Sequence, residues 1–164
     1  MKRKNKKGTS LVELLIYISI MGIMTAAIVS FIASNKKVGD RNEAISEVET
    51  QGNEIVEIIS QTIRNSSTIT GLALGASANQ LTVVDNAVTI VFSLSSGKVT
   101  IKRGGASAVD LNTNQVVISN LSFKNFGNAT KGSINFQFDA DYLNSGNRAE
   151  LNYAKTFSGS ASLR

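Results

Sequence analysis

The residues best placed to do chemistry stand in Lys7-Gly8-Thr9-Ser10-Leu11-Val12-Glu13-Leu14. Glu13 is a carboxylate near the head of a run that is otherwise uncharged and apolar as far as Ser34. An acid inside a membrane-spanning helix costs roughly 2.5–3.5 kcal/mol at the centre and less near an interface, so such a residue usually has a partner. One reading leaves Glu13 snorkelling to the headgroups, where the positive end of the helix dipole also favours it. A second begins at Gly8: cleavage after it creates an α-amino group on Thr9, one helical turn from Glu13. An amine and a carboxylate at that spacing form a pair, within one chain or between neighbours. Other chemistry is narrowed by composition, since the chain has neither histidine nor cysteine. A Ser-His-Asp triad, a Cys-His pair, a disulfide framework and the usual transition-metal sites are excluded.

The elements that would position these groups follow from charge and periodicity. The formal net charge of +5 is concentrated in Lys2, Arg3, Lys4, Lys6 and Lys7, and from Gly8 onward twelve basic side chains face twelve acidic ones. The basic balance therefore reports topology, a cytoplasmic flank of a membrane segment, rather than nucleic-acid binding. From Leu14 to Ser34 the run is long enough for a helix to cross a hydrocarbon core of about 30 Å. A secretory signal peptide is a poorer fit, because its apolar region runs only about 7–15 residues and ends at a small-x-small site. Phe31-Ile32-Ala33 puts bulky groups where small ones are needed.

At Gly8 the residues also carry a resemblance. The stretch from Lys7 to Ile16 is similar to the class III signal of type IV prepilins and pseudopilins, in which a short basic leader ends in glycine and glutamate follows five residues after the cut. The resemblance implies an aspartyl prepilin peptidase that cleaves Gly8–Thr9 on the cytoplasmic face and methylates the new N-terminus. It further implies other pilin or pseudopilin subunits and an inner-membrane assembly platform as partners, with lipid around the helix before assembly. Two positions depart from the family: Thr9 stands where phenylalanine is common, and Ser30 where a helix-kinking proline is common. A straighter helix is expected, with Gly22 the one place where the span could loosen. In a bundle of such helices each Glu13 is desolvated unless an incoming Thr9 amine neutralises it, so the charge would set the register of assembly.

Beyond Asn35-Lys36-Lys37, Ile45, Val48, Gly52, Ile55, Ile59 and Thr62 recur at three- and four-residue intervals, with Asp40, Arg41, Glu43, Glu47, Glu49, Glu54 and Glu57 mostly off the stripe and expected to form a solvated face. This predicts one helix from near Ser10 to about Arg64, about 80 Å long at 1.5 Å per residue. From Asn65 the apolar residues alternate, and strands are predicted over 80–84, 88–94, 98–103, 115–123, 133–138 and 149–157, with a turn at Asn144-Ser145-Gly146-Asn147. The expected fold is α+β, a lollipop: a long N-terminal helix, its first half transmembrane, packed against one C-terminal antiparallel sheet of five or six strands. The expected parts are a leader (1–8), the transmembrane and assembly half of the helix (9–34), its extracytoplasmic amphipathic half (35–65) and a β domain (66–164). Their order resembles minor pilins and pseudopilins of the J or W type, as do Val117-Ile118-Ser119-Asn120-Leu121-Ser122-Phe123 and the C-terminal Ala161-Ser162-Leu163-Arg164. The lack of a C-terminal cysteine pair also fits a minor member.

Weaker signals have plainer explanations. Asp139-Ala140-Asp141 with Asn144 gathers oxygens as calcium loops do, but reads as a surface turn. Lys98, Lys102 and Arg103 could touch phosphate, but read as charges guarding a strand edge. Asn65-Ser66-Ser67, Asn120-Leu121-Ser122 and Asn128-Ala129-Thr130 match a glycosylation pattern too short to carry weight in so polar a chain. No second titratable group lies in reach of Glu13 for acid-base work. The expected function is therefore structural and non-enzymatic, with no cofactor or metal: a processed pilus, competence-pilus or secretion-pseudopilus subunit. It would sit in the cytoplasmic membrane as a single span, N-terminus inside, and in a surface filament after assembly. The alternative is an uncleaved, membrane-anchored extracytoplasmic binding module.

Overall fold

The computed structural model describes residues 10–127 and 132–163. Helix α1 spans Leu11–Asn65, opening where the Ser10 carbonyl accepts the Leu14 N–H at 3.1 Å. With no proline and an apolar or amphipathic pattern throughout, nothing in the segment stops a helix until Ser66, whose N–H turns back to the Ile63 carbonyl at 3.1 Å. The chain divides into two compact units, residues 1–39 and 40–164.

The described part of the first unit is helix alone. Every side chain from Ser10 to Gly39 is exposed, and mean hydropathy in its most apolar 18-residue window is 2.3. A helix that is hydrophobic all round and buries none of its surface in its own protein belongs in an apolar medium. Its hydroxyls suit that medium. Ser19 donates to the Leu15 carbonyl at 2.8 Å, Thr25 to Met21 at 2.8 Å and Ser30 to Ala26 at 2.9 Å, so each is satisfied one turn back along the same helix.

The second unit has its own core. Ala44, Val48, Gln51, Gly52, Ile55, Ile59, Ser60, Thr62 and Ile63 form the buried face of α1; it contains the stripe read from periodicity apart from Ile45, which is only half-buried, and adds Ala44, Gln51, Ser60 and Ile63. Gly52 is required by a close approach: a Cβ there would lie 2.2 Å from the Phe157 ring. Phe157 in turn stacks on Phe138, with ring centroids 5.5 Å apart.

Over the helix lie two antiparallel sheets, not the single sheet expected. One has the order β1-β3-β4-β5-β6, comprising Thr68–Thr70, Leu81–Asp85, Val88–Ser95, Lys98–Arg103 and Val109–Asp110. The other has the order β2-β7-β8-β9, comprising Ser77–Ala78, Val116–Asn125, Ser133–Tyr142 and Ala154–Ser162. Two two-residue hairpin loops in left-handed conformation, Asn86-Ala87 and Ser96-Gly97, set the β3–β4 and β4–β5 registers. The division has a physical cause at Asn112, which is 4 % exposed: its Oδ1 accepts the Val99 N–H at 2.9 Å, and its Nδ2 donates to Gly97 O at 3.2 Å and Val116 O at 2.7 Å. That one amide holds the end of the β4–β5 hairpin against the start of β7, so the chain changes sheet there instead of continuing a ladder.

The last predicted strand also starts later than its alternation implied. Ala149–Leu151 is a 3-10 turn, and β9 begins at Ala154. Asn144 accounts for this by folding the connection on itself: its Oδ1 accepts the Arg148 N–H at 2.9 Å and its Nδ2 donates to the Arg148 carbonyl at 2.7 Å.

Candidate functional site

Glu13 lies in the first turn of α1 and is exposed, where the unpaired N–H groups of the helix start favour a negative charge. Tyr17, one turn on, donates its hydroxyl to Glu13 Oε1 at 3.3 Å. Among the described residues Glu13 Oε2 has no hydrogen bond. The carboxylate is thus oriented by one neighbour and still able to accept from a donor outside the helix. This corrects the expectation that no second titratable group lies in reach of Glu13, because the i+4 spacing puts the Tyr17 phenol on the same face. Gly8, Thr9 and the leader cations Lys2, Arg3, Lys4, Lys6 and Lys7 lie outside the described residues.

On another side of the same helix Gly22, Ala26 and Ser30 succeed one another four residues apart, forming a shallow open groove flanked by Ile18, Met21 and Val29. Small residues at that spacing permit close approach of a second helix.

The weaker candidates resolve into structural roles. Asp139 accepts from Asn120 Nδ2 at 2.7 Å and Thr156 Oγ1 at 2.6 Å, and these two bonds, Asn120 first, hold its carboxyl below the ordinary value. Asn120 itself sits at φ 53° in the bulge between Ser119 and Ser122, so Asp139 pins that irregularity. Asn144 is engaged in its own loop, apart from Asp139, and no group of three or more His, Cys, Asp or Glu among the described residues could hold a metal. Lys98, at the start of β5, is paired to Asp110 at 2.7 Å, while Lys102 and Arg103 are exposed at the far end of the strand. Asn128-Ala129-Thr130 falls outside the described residues.

Two ion-pair groups fasten the sheet domain to α1 within the second unit, and they correct the expectation that Asp40 and Glu49 lie on a solvated face, since both are half-buried against cations of the sheet domain. Lys155 Nζ lies 2.7 and 2.6 Å from the two oxygens of Glu49, and Tyr153 donates its hydroxyl to Oε1 at 2.8 Å. These contacts, Lys155 first, hold the Glu49 carboxyl below its ordinary value. Arg148 bonds Asp40 and, at 2.7 Å, Glu150, and both acids, Asp40 first, raise the guanidinium pKa further.

Residues 3–29 match the family model described as the prokaryotic N-terminal methylation motif, a match that contains Glu13 and most of the apolar run. No curated protein and no solved structure matches the chain. The chain therefore carries a type IV pilin-like class III signal, joined to a long apolar N-terminal helix packed against antiparallel sheets. The motif supports a pilin-like processed subunit and implies processing by a prepilin peptidase and assembly with other pilins, a family whose members are structural.

Proposed function

We propose that this chain is a minor structural subunit of a type IV pilus, a competence pilus or a type II secretion pseudopilus, cut between Gly8 and Thr9 and N-methylated on Thr9. The observation that carries the reading is Glu13: an exposed carboxylate within the methylation motif, held by one weak neighbour in the first turn of α1, ahead of an uncharged run from Leu14 to Ser34 that buries no residue in its own protein. The minor assignment rests on the J- or W-type resemblance of the sheet domain and on the lack of cysteine.

In the membrane, Lys2, Arg3, Lys4, Lys6 and Lys7 keep the leader on the cytoplasmic side, and the peptidase removes them by cutting at Gly8–Thr9. Residues 9–34 hold the subunit in the bilayer, while residues 35–65 and the sheet domain of residues 66–164 lie outside the cell membrane. On assembly the apolar helices leave lipid for one another, and the Gly22, Ala26 and Ser30 side allows backbones to come close. Glu13 then loses water and headgroups. A Thr9 amine from a neighbouring helix neutralises it only in the correct register, and any other register leaves a buried carboxylate uncompensated. The work of the molecule is assembly.

Replacing Glu13 by alanine in the native host separates the parts of this reading. Cleavage, read as an N-terminus at Thr9 by mass spectrometry, is expected to stay normal, while incorporation into filaments falls by about tenfold or more, as loss of a buried charge pair requires. Equal incorporation of the Glu13→Ala chain would overturn the register mechanism. An intact Met1 on wild-type chain in filaments would overturn processing.

A further inference from the structure

The hydrogen-bond parity of the second sheet exposes a feature unrelated to the span. Leu163 N–H donates to Gly132 O at 2.9 Å and Tyr142 N–H to Tyr153 O at 3.0 Å, and both contacts lie on the β8–β9 register that pairs Ser162 with Ser133. Bonded pairs alternate along an antiparallel ladder. Bonds to β8 therefore fall at Lys155, Phe157, Gly159 and Ala161. The N–H and C=O of Ala154, Thr156, Ser158, Ser160 and Ser162 point the other way, to the open side of the sheet.

Among the described residues no hydrogen bond reaches that open side. Beside its C-terminal half lies a groove of about 580 Å³, lined by Arg64, Asn65, Ser160, Ala161 and Ser162 and by no residue of β8. The other sheet edges are blunt, with β1, β2 and β6 offering three, two and two residues. Strand β9 has nine, without proline or bulge, and its outer face carries only Ala154, Thr156 and serines. Its one cation, Lys155, is turned onto Glu49 of the helix. Soluble folds normally shorten, charge or cover an edge of this length.

We propose that the β9 edge is a docking site for an extended strand of a different protein chain, which adds to the β2-β7-β8-β9 sheet as a fifth strand. Only polypeptide backbone supplies donors and acceptors at the spacing of five alternate residues, and the small hydroxyl side chains leave room for larger ones on the incoming strand. A copy of this chain serves poorly. Its other edges are too short, and β9 against β9 in antiparallel register would reverse one Asp40–Asn65 helix relative to the other, whereas subunits drawn from one bilayer share a direction. That last clause rests on the proposed function; the edge geometry does not.

Residue-resolved hydrogen exchange tests the proposal on the full chain, compared between a mild-detergent extract of native-host membranes and the same chain purified alone. The amides of Thr156, Ser158, Ser160 and Ser162 are expected to exchange about 100-fold or more slowly in the extract, while those of Phe157 and Ala161 stay slow in both. Ser158→Pro removes one outward N–H without touching the β8 ladder, and should abolish the difference while Phe157 and Ala161 stay protected. Should that variant misfold, a chain carrying Ser158→Lys and Ser160→Lys keeps the backbone intact and is expected to give the same loss. Equal exchange in the two states would overturn the proposal, as would undiminished protection in the lysine variant. So would protection already present in the purified chain at doubled mass, which would seat a second copy on the edge. Processing is read independently from the N-terminal mass of the same sample, so failure at Gly8–Thr9 and failure at β9 are distinguishable.

Discussion

Helix α1 is one secondary-structure element in two solvents. Between Ser10 and Gly39 no residue is buried, and the hydroxyls of Ser19, Thr25 and Ser30 are satisfied inside the helix. Between Asp40 and Asn65 the buried stripe packs under two sheets, and several polar side chains reach other elements: Gln51 bonds Thr113 at 2.7 and 2.9 Å, Glu49 bonds Lys155 and Asp40 bonds Arg148, although Thr62 still donates one turn back to the Ile58 carbonyl at 2.7 Å. Helical geometry alone therefore says little about environment. Bonds to other elements say more: they occur in the packed half and are absent from the described residues of the first.

The comparison breaks most visibly if one isoleucine is removed from each half. Ile59→Ala is expected to cost about 2–5 kcal/mol in unfolding of the second unit, because it opens a cavity in a side chain with no exposure. Ile23→Ala, at a position 73 % exposed, should leave that transition where it was. Equal shifts would mean that the two regions do not differ as described. Thermal unfolding in detergent, followed by the β signal in circular dichroism, measures both.

Glycine gives a second, smaller contrast. Gly52→Ala should destabilise by about 1–3 kcal/mol through overpacking against the Phe157 ring, partly offset by the better helix propensity of alanine. Gly22→Ala meets nothing within 4 Å and keeps only the gain. A stabilised Gly52→Ala chain would show that Phe157 moves aside freely.

The smallest effect expected is acid sensitivity confined to the second unit. Glu49 and Asp139 have folded pKa values below the ordinary 4.5 and 3.8 at which they titrate when unfolded. Their contribution is therefore complete above those values and is lost as pH falls through the lower folded ones. Tm should decline below about pH 4, and Glu49→Gln with Asp139→Asn should flatten that decline. A decline setting in above about pH 6 would assign the acid response to other groups.

Much of the architecture was legible because it rests on periodicity and on local backbone chemistry. The uncharged run, the Val48–Gly52–Ile55–Ile59 stripe and the strands on either side of Asn86-Ala87 and Ser96-Gly97 are local signals, and the structure places each within about a residue or two of its reading. The split into two sheets was not legible. Strands β2 and β6 have two residues each, too few for alternation, and Asn112 looks in sequence like any loop asparagine until its backbone partners are seen. Buried Gln51 was hidden for the same reason, since a polar residue on a helix reads as solvated. In the candidate site, the placing of Glu13 in the first turn and the exposed apolar helix after it follow from the sequence pattern. Its bond to Tyr17 had only an i+4 spacing to announce it.

The back-bonded hydroxyls of Ser19, Thr25 and Ser30 carry one more consequence. A stretch of helix whose hydroxyl protons are already given to its own carbonyls trades none with its surroundings on passing from one apolar phase to another. Between Ser19 and Ser30, therefore, the polar groups resist neither entry nor exit, and any preference of the rod for one phase must come from side-chain packing or from Glu13.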